Sequence, residues 1–140
     1  MSFWDASAVV PLVLNETATA PVDPWYPAQP IVVWWGTLVE VTSAVVRRER
    51  AGTLSLDGML GSLALLADMA SRWVEVPPSG PLRERARRLL RAHGLRAADG
   101  LQLAAALTLA RNDPSRLEFI CRDSRLAEAA AREGLRVRAA

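Results

Sequence analysis

Four acidic residues, far apart in the chain, stand where a carboxylate could do chemistry: Asp5, Glu40, Asp99 and Asp123. Asp5 follows the apolar pair Phe3-Trp4 and runs into Ala6-Ser7 and the apolar Ala8-Val9-Val10. A short buried strand reads this way when its carboxyl end opens into a helix. In open α/β sheets, ligands sit just outside the carboxyl ends of the strands, so an acid there is placed to meet a metal ion or a phosphate. Glu40 falls in the first turn of the helix expected after a second strand, and Asp123 follows a fourth. A parallel sheet points all its carboxyl ends the same way, so these three converge if their strands are neighbours. Asp99 lies early in an apolar helix, among Ala97, Ala98, Leu101 and Leu103, where a charge is costly unless paired or bound to metal.

Each acid also has an ordinary explanation. Asp5 and Ser7 are suited to capping the following helix. Thr37-Leu38-Val39-Glu40 has the form of a capping box. Asp123-Ser124 is a good helix start, and Asp99 could complement the helix dipole or pair with Arg96. Singly these suffice; four at such positions are harder to dismiss. Two carboxylates about 4 Å apart repel by roughly 4 kcal/mol at an effective dielectric of about 20. A converging set must therefore protonate in part or bind a divalent cation. All-oxygen ligation favours Mg²⁺ or Mn²⁺ over zinc, and Cys121 and His93 are the only cysteine and histidine. His93 closes a basic helix, where histidine is ordinary, and is assigned no catalytic role.

Strands are expected at Ser2 to Trp4, Ile31 to Trp35, Trp73 to Val76, Leu117 to Cys121 and Leu135 to Val137. Helices are expected at Ala6 to Leu14, Thr37 to Arg50, Ser55 to Ser71, Pro81 to His93, Arg96 to Ala110 and Ser124 to Glu133. Gly52, Gly94 and Gly134 stop three of them. Between Asn15 and Pro30, four prolines surround Trp25-Tyr26, which predicts a loop or broken helices covering one edge of a site. The alternation of strands and helices predicts an α/β fold, a parallel sheet of about five strands with helices on both faces.

The length of 140 residues suggests a single domain, 1–140, and a hydrophobic share of 51% supports one substantial core. No apolar run approaches the ~18 residues of a membrane span, and no secretory signal is expected. A lone cysteine cannot form an internal disulfide, which fits a cytoplasmic protein. Net charge is +2, and all 17 basic residues are arginine. Arginine suits bidentate phosphate contact, although a GC-rich genome gives the same bias. Arg83, Arg85, Arg87, Arg88 and Arg91 crowd one helix against Glu84 alone. A solvated outer face explains this most simply; contact with a phosphate backbone is the sharper alternative.

At its acids the chain resembles the PIN domain, in particular the VapC-type toxins of bacterial toxin–antitoxin pairs. The matching segments are Trp4-Asp5-Ala6-Ser7-Ala8, Thr37-Leu38-Val39-Glu40-Val41, Leu95-Arg96-Ala97-Ala98-Asp99 and Phe119-Ile120-Cys121-Arg122-Asp123-Ser124-Arg125-Leu126. The close, Ala129 to Leu135, is also similar, so the resemblance covers essentially the whole chain. It implies a three-layer fold and a Mg²⁺- or Mn²⁺-dependent ribonuclease. In that family pattern Asp5, Glu40, Asp99 and Asp123 are the catalytic acids, with the metal on Asp5, Asp99 and Asp123, and Ser7 in a supporting hydrogen bond. It further implies an RNA substrate, a cognate antitoxin that blocks the site, and a homodimer. Two positions depart from the pattern: Cys121 stands where Thr or Ser is common, and Gln102 where many members carry His. The Pro-rich stretch from Pro21 to Pro30 departs as well. Two alternatives remain: an aspartate phosphatase with Asp5 as nucleophile, or a PIN-like module that binds protein or RNA without cutting. The phosphatase fits poorly, because Ser7 stands where such enzymes carry a second acid and the chain has no lysine.

Overall fold

The computed structural model describes residues 1–14 and 30–139. The expectation for the Pro-rich stretch falls outside the described residues, apart from Pro30. Among the described residues five strands form: β1 (Ser2–Trp4), β2 (Val32–Trp34), β3 (Val74–Val76), β4 (Glu118–Cys121) and β5 (Arg136–Ala139). The α-helices among the described residues are α1 (Ala6–Leu14), α2 (Thr37–Arg50), α3 (Leu56–Ala70), α4 (Gly80–Ala92), α5 (Ala97–Ala110) and α6 (Ser124–Arg132). Every expected strand and helix is present, with ends displaced by at most two residues, and a short 3₁₀ helix, Pro114–Arg116, precedes β4. Gly52 and Gly134 adopt φ of +78° and +94° where α2 and α6 end, a conformation only glycine takes without strain.

The sheet is fully parallel, in the order β3-β2-β1-β4-β5. Phe3 is level with Val32 on one side and with Phe119 on the other. The chain builds outward from β1 through β2 to β3, then returns to lay β4 and β5 on the opposite side. Right-handed crossovers run in opposite directions put their helices on opposite faces. Accordingly α1, α2 and α3 pack with Trp4, Val33 and Ile120 on one face. The helices α4, α5 and α6 pack with Phe3, Val32, Trp34 and Phe119 on the other. Successive strand residues alternate between these two cores, as the pleat requires. The rings of Phe3 and Phe119 stack across β1 and β4 with centroids 5.7 Å apart. No described helix is long and apolar enough to cross a membrane.

Gly36 carries the chain from β2 into α2. A Cβ built there would stand 2.5 Å from the indole nitrogen of Trp34, whose ring is buried. Its φ of −75° suits any residue, so the requirement is steric, not conformational. Gly36→Ala is expected to destabilise the fold by about 1–3 kcal/mol through overpacking against that ring. Urea unfolding checks this, and an unchanged midpoint would show that Trp34 yields freely.

Candidate active site

The strand order answers the condition on which the sequence left convergence hanging. β2, β1 and β4 are consecutive, so the segments carrying Glu40, Asp5 and Asp123 leave the sheet side by side. The direction of build reverses between β1 and β4, which is where a crevice opens in a doubly wound sheet. Helix α5 enters from the same edge, because a helix leading into a parallel strand begins at the carboxyl end of its neighbours. Its first turn holds Asp99.

Asp5 is the most enclosed of the four, with 2% of its surface exposed. Its backbone N–H donates to the Ile120 carbonyl at 3.0 Å, extending the β1–β4 ladder by one residue. Its Oδ2 accepts from the Ser7 backbone N–H at 3.0 Å and from Ser7 Oγ at 2.5 Å. Ser7 Oγ in turn accepts from the Arg122 N–H at 2.9 Å, so one hydroxyl ties Asp5 to the β4–α6 junction. The supporting role expected of Ser7 is therefore realised in its hydrogen bonds. Burial pushes the Asp5 carboxyl up to about 6 against the opposing bonds from Ser7, and the charge of Asp99 pushes it further.

Glu40 approaches from α2. The capping box expected at Thr37 to Glu40 does not form: α2 is preceded by Gly36, and no side chain caps it. Thr37 is fully buried instead, and its Oγ1 accepts from Gln102 Nε2 at 3.0 Å. The same nitrogen donates to Glu40 Oε2 at 3.2 Å. Gln102 thus reaches from α5, in one helical layer, to α2 in the other. Burial raises the Glu40 carboxyl to about 7; the bond from Gln102 opposes this, and Asp5 and Asp99 add to it.

Asp99 is half-buried, and its pKa is raised by burial and by Asp123, against the charges of Arg96 and Arg125. No ion pair joins it to Arg96 among the described residues, and none of its side-chain oxygens accepts a hydrogen bond from them. Asp123 does cap α6, accepting through Oδ1 from the Leu126 N–H at 2.9 Å. Cys121 lies beneath, its sulfur 3.8 Å from Asp5 Oδ2 and 3.2 Å from the Asp123 N–H that donates to it. Burial and Asp5 push the thiol up to about 12, so it remains protonated and offers no thiolate to a soft metal.

All four acids therefore feel one another, in a chain from Glu40 through Asp5 to Asp99 and Asp123. Among the described residues, no three His, Cys, Asp or Glu side chains are grouped closely enough to encircle one ion by themselves. The donor set nevertheless fits Mg²⁺ or Mn²⁺. Magnesium typically takes one or two carboxylates and keeps several waters. The site also holds an excess of acceptors, because the buried Gln102 Oε1 has no donor among the described residues. His93 stands apart, bonded at 3.1 Å to Glu133 and tying α4 to the end of α6. Sequence reasoning missed the reach of Gln102 to Glu40. The available signal was a polar residue three positions after Asp99 on an otherwise apolar helix face.

No protein-family profile and no curated protein matches the sequence. Among solved structures the chain is similar to PAE2754 from Pyrobaculum aerophilum, at 20% identity and a TM-score of 0.65, over 91% of this chain and 83% of that one. FitAcB from Neisseria gonorrhoeae aligns over 98% of this chain and 96% of its own at 18% identity, with a TM-score of 0.48, too low to argue from. The first likeness concerns the fold alone, and agrees with the three-layer, PIN-like arrangement expected from the sequence.

A carboxyl that titrates higher in the folded chain than in the unfolded one binds its proton more tightly when folded. Its contribution to stability is complete below the unfolded value and is lost as pH rises through the folded value. For Asp5 the rise from 3.8 to about 6 corresponds to about 3 kcal/mol. In metal-free buffer, Asp5→Asn is expected to gain stability relative to wild type by about that amount between pH 4 and pH 7. Urea unfolding of both proteins across this window measures the gain, and a constant difference would remove Asp5 from the repulsive cluster.

Proposed function

We propose that this protein is a metal-dependent ribonuclease that hydrolyses RNA phosphodiester bonds, the toxin of a toxin–antitoxin pair. The observation that carries the hydrolase half is the placement of Asp5, Glu40, Asp99 and Asp123 around the reversal point of the sheet. The choice of RNA, the antitoxin partner, the homodimer and the cytoplasmic setting rest on the sequence resemblance to VapC-type toxins.

Asp5 and Asp99 would hold the ion, with Asp123 joining directly or through water. Bound there, Mg²⁺ or Mn²⁺ supplies a water acidic enough to yield hydroxide near neutral pH and offsets charge building on the phosphate. Ser7 holds the Asp5 carboxylate in one orientation, and a fixed ligand spends less freedom on binding. Glu40, steadied by Gln102 and titrating near neutrality, is suited to orient the attacking water and accept its proton. Attack by water leaves a 5′-phosphate and a 3′-hydroxyl. A phosphatase with Asp5 as nucleophile is disfavoured, since that carboxylate is buried and its Oδ2 is occupied by Ser7.

Asp5→Asn and Asp99→Asn are each expected to slow cleavage of a single-stranded RNA by more than about a hundredfold, beyond what outer-sphere partners cost. Circular dichroism should be unchanged. Calorimetry should show Mn²⁺ binding to wild type that weakens in both variants. Undiminished cleavage in both, or a cyclic phosphate on the product, would reject the mechanism.

A further inference from the structure

We propose that Arg96 and Arg125 grip the RNA phosphates on either side of the one being cut, and that the arginine-rich face of α4 does not. The inference rests on the nuclease reading above and extends it to how the backbone is held. A cleft of about 520 Å³ opens beside the acids, lined by Arg96, Asp99, Arg122, Asp123, Ser124 and Arg125. Arg96 immediately precedes α5, and Arg125 is the second residue of α6. The two helix starts thus bring their guanidinium groups to one opening from separate parts of the chain.

Both side chains belong to exposed residues, and the charges of both reach Asp99. Among the described residues, neither forms an ion pair. Much of the remaining arginine is answered locally: Arg72, Arg87, Arg88, Arg116, Arg132 and Arg138 each bond an acid. Two of the five arginines that make α4 basic, Arg87 and Arg88, are in that group. Arg83, Arg85 and Arg91 of α4 form no ion pair among the described residues either, but Arg96 and Arg125 share one cleft with Asp99 and Asp123. A guanidinium fork matches the two free oxygens of a phosphodiester. A strand whose scissile phosphate enters toward Asp99 and Asp123 must carry its next phosphates past these two residues.

The test is equilibrium binding of a fluorescein-labelled single-stranded RNA in EDTA, over a series of NaCl concentrations, in the Asp5→Asn background. Each lost phosphate contact on a single strand lowers the slope of log K against log salt by about 0.7. Arg96→Gln with Arg125→Gln is expected to weaken binding at least about tenfold at low salt and to flatten the slope by about 1.4. Arg83→Gln with Arg91→Gln, on α4, should leave the slope unchanged. Arg96→Lys with Arg125→Lys should keep the slope but lose affinity, because the charge remains and the fork does not. An unaltered slope in the Arg96 and Arg125 pair, an equal loss in the α4 pair, or no RNA binding at all overturns the proposal. Cleavage by wild type is scored separately. Cleavage with an unaltered slope defeats the grip and leaves the enzyme standing, whereas a flattened slope without cleavage defeats the enzyme and leaves the grip.

Discussion

Negative charge confined at one edge of the sheet is the constraint on which the rest of the structure turns. Asp5 has almost no access to water, and its nearest charged neighbours include Glu40 and Asp99, both negative. A pair of carboxylates at contact distance costs roughly 4 kcal/mol even in a polarisable interior. A whole domain is stable by only about 5–15 kcal/mol. Ser7 recovers part of the desolvation cost with two bonds to one oxygen. The cost falls on the charged forms, which is why the Asp5, Glu40 and Asp99 carboxyls all titrate above their ordinary values.

The topology makes that crowding unavoidable. With β1 central and β2 and β4 on its flanks, three strands deliver their ends to one place. The opposite winding of the two halves keeps helices off the top of that place. Only the first turn of α5, with Asp99, begins at this edge. Gln102, wholly buried, links Thr37 and Glu40 of α2 to the helix that holds Asp99. Its carboxamide is neutral, so it can be enclosed at a cost a charged side chain would exceed, while still opposing protonation of Glu40.

Single side chains around the acids take on separate tasks. Asp123 caps α6 through Oδ1, and its charge acts on Asp99. Ser7 Oγ both donates to Asp5 and accepts from the Arg122 backbone. Cys121 fills the floor as a protonated thiol, in keeping with its burial and its acidic neighbour. Thr37, by contrast, is not divided: it gives up the capping role its sequence suggests and is enclosed with Gln102.

The local pattern of the chain was enough to place every described strand and α-helix within two residues, because apolar spacing, glycine stops and proline breaks act over a few positions. It was also enough to single out four acids, since each followed a strand or opened a helix. Whether those acids meet depended on strand order, a matter of contacts between segments dozens of residues apart, which no local periodicity encodes. The same holds for Thr37 and Gln102, where a capping signature yields to a buried bond made across 65 positions. Charge tells the same story: the sequence shows the most arginine on α4, while only the folded chain decides which arginines are already spent on nearby carboxylates. Composition is additive along a chain, and the neutralisation of charge is decided in three dimensions.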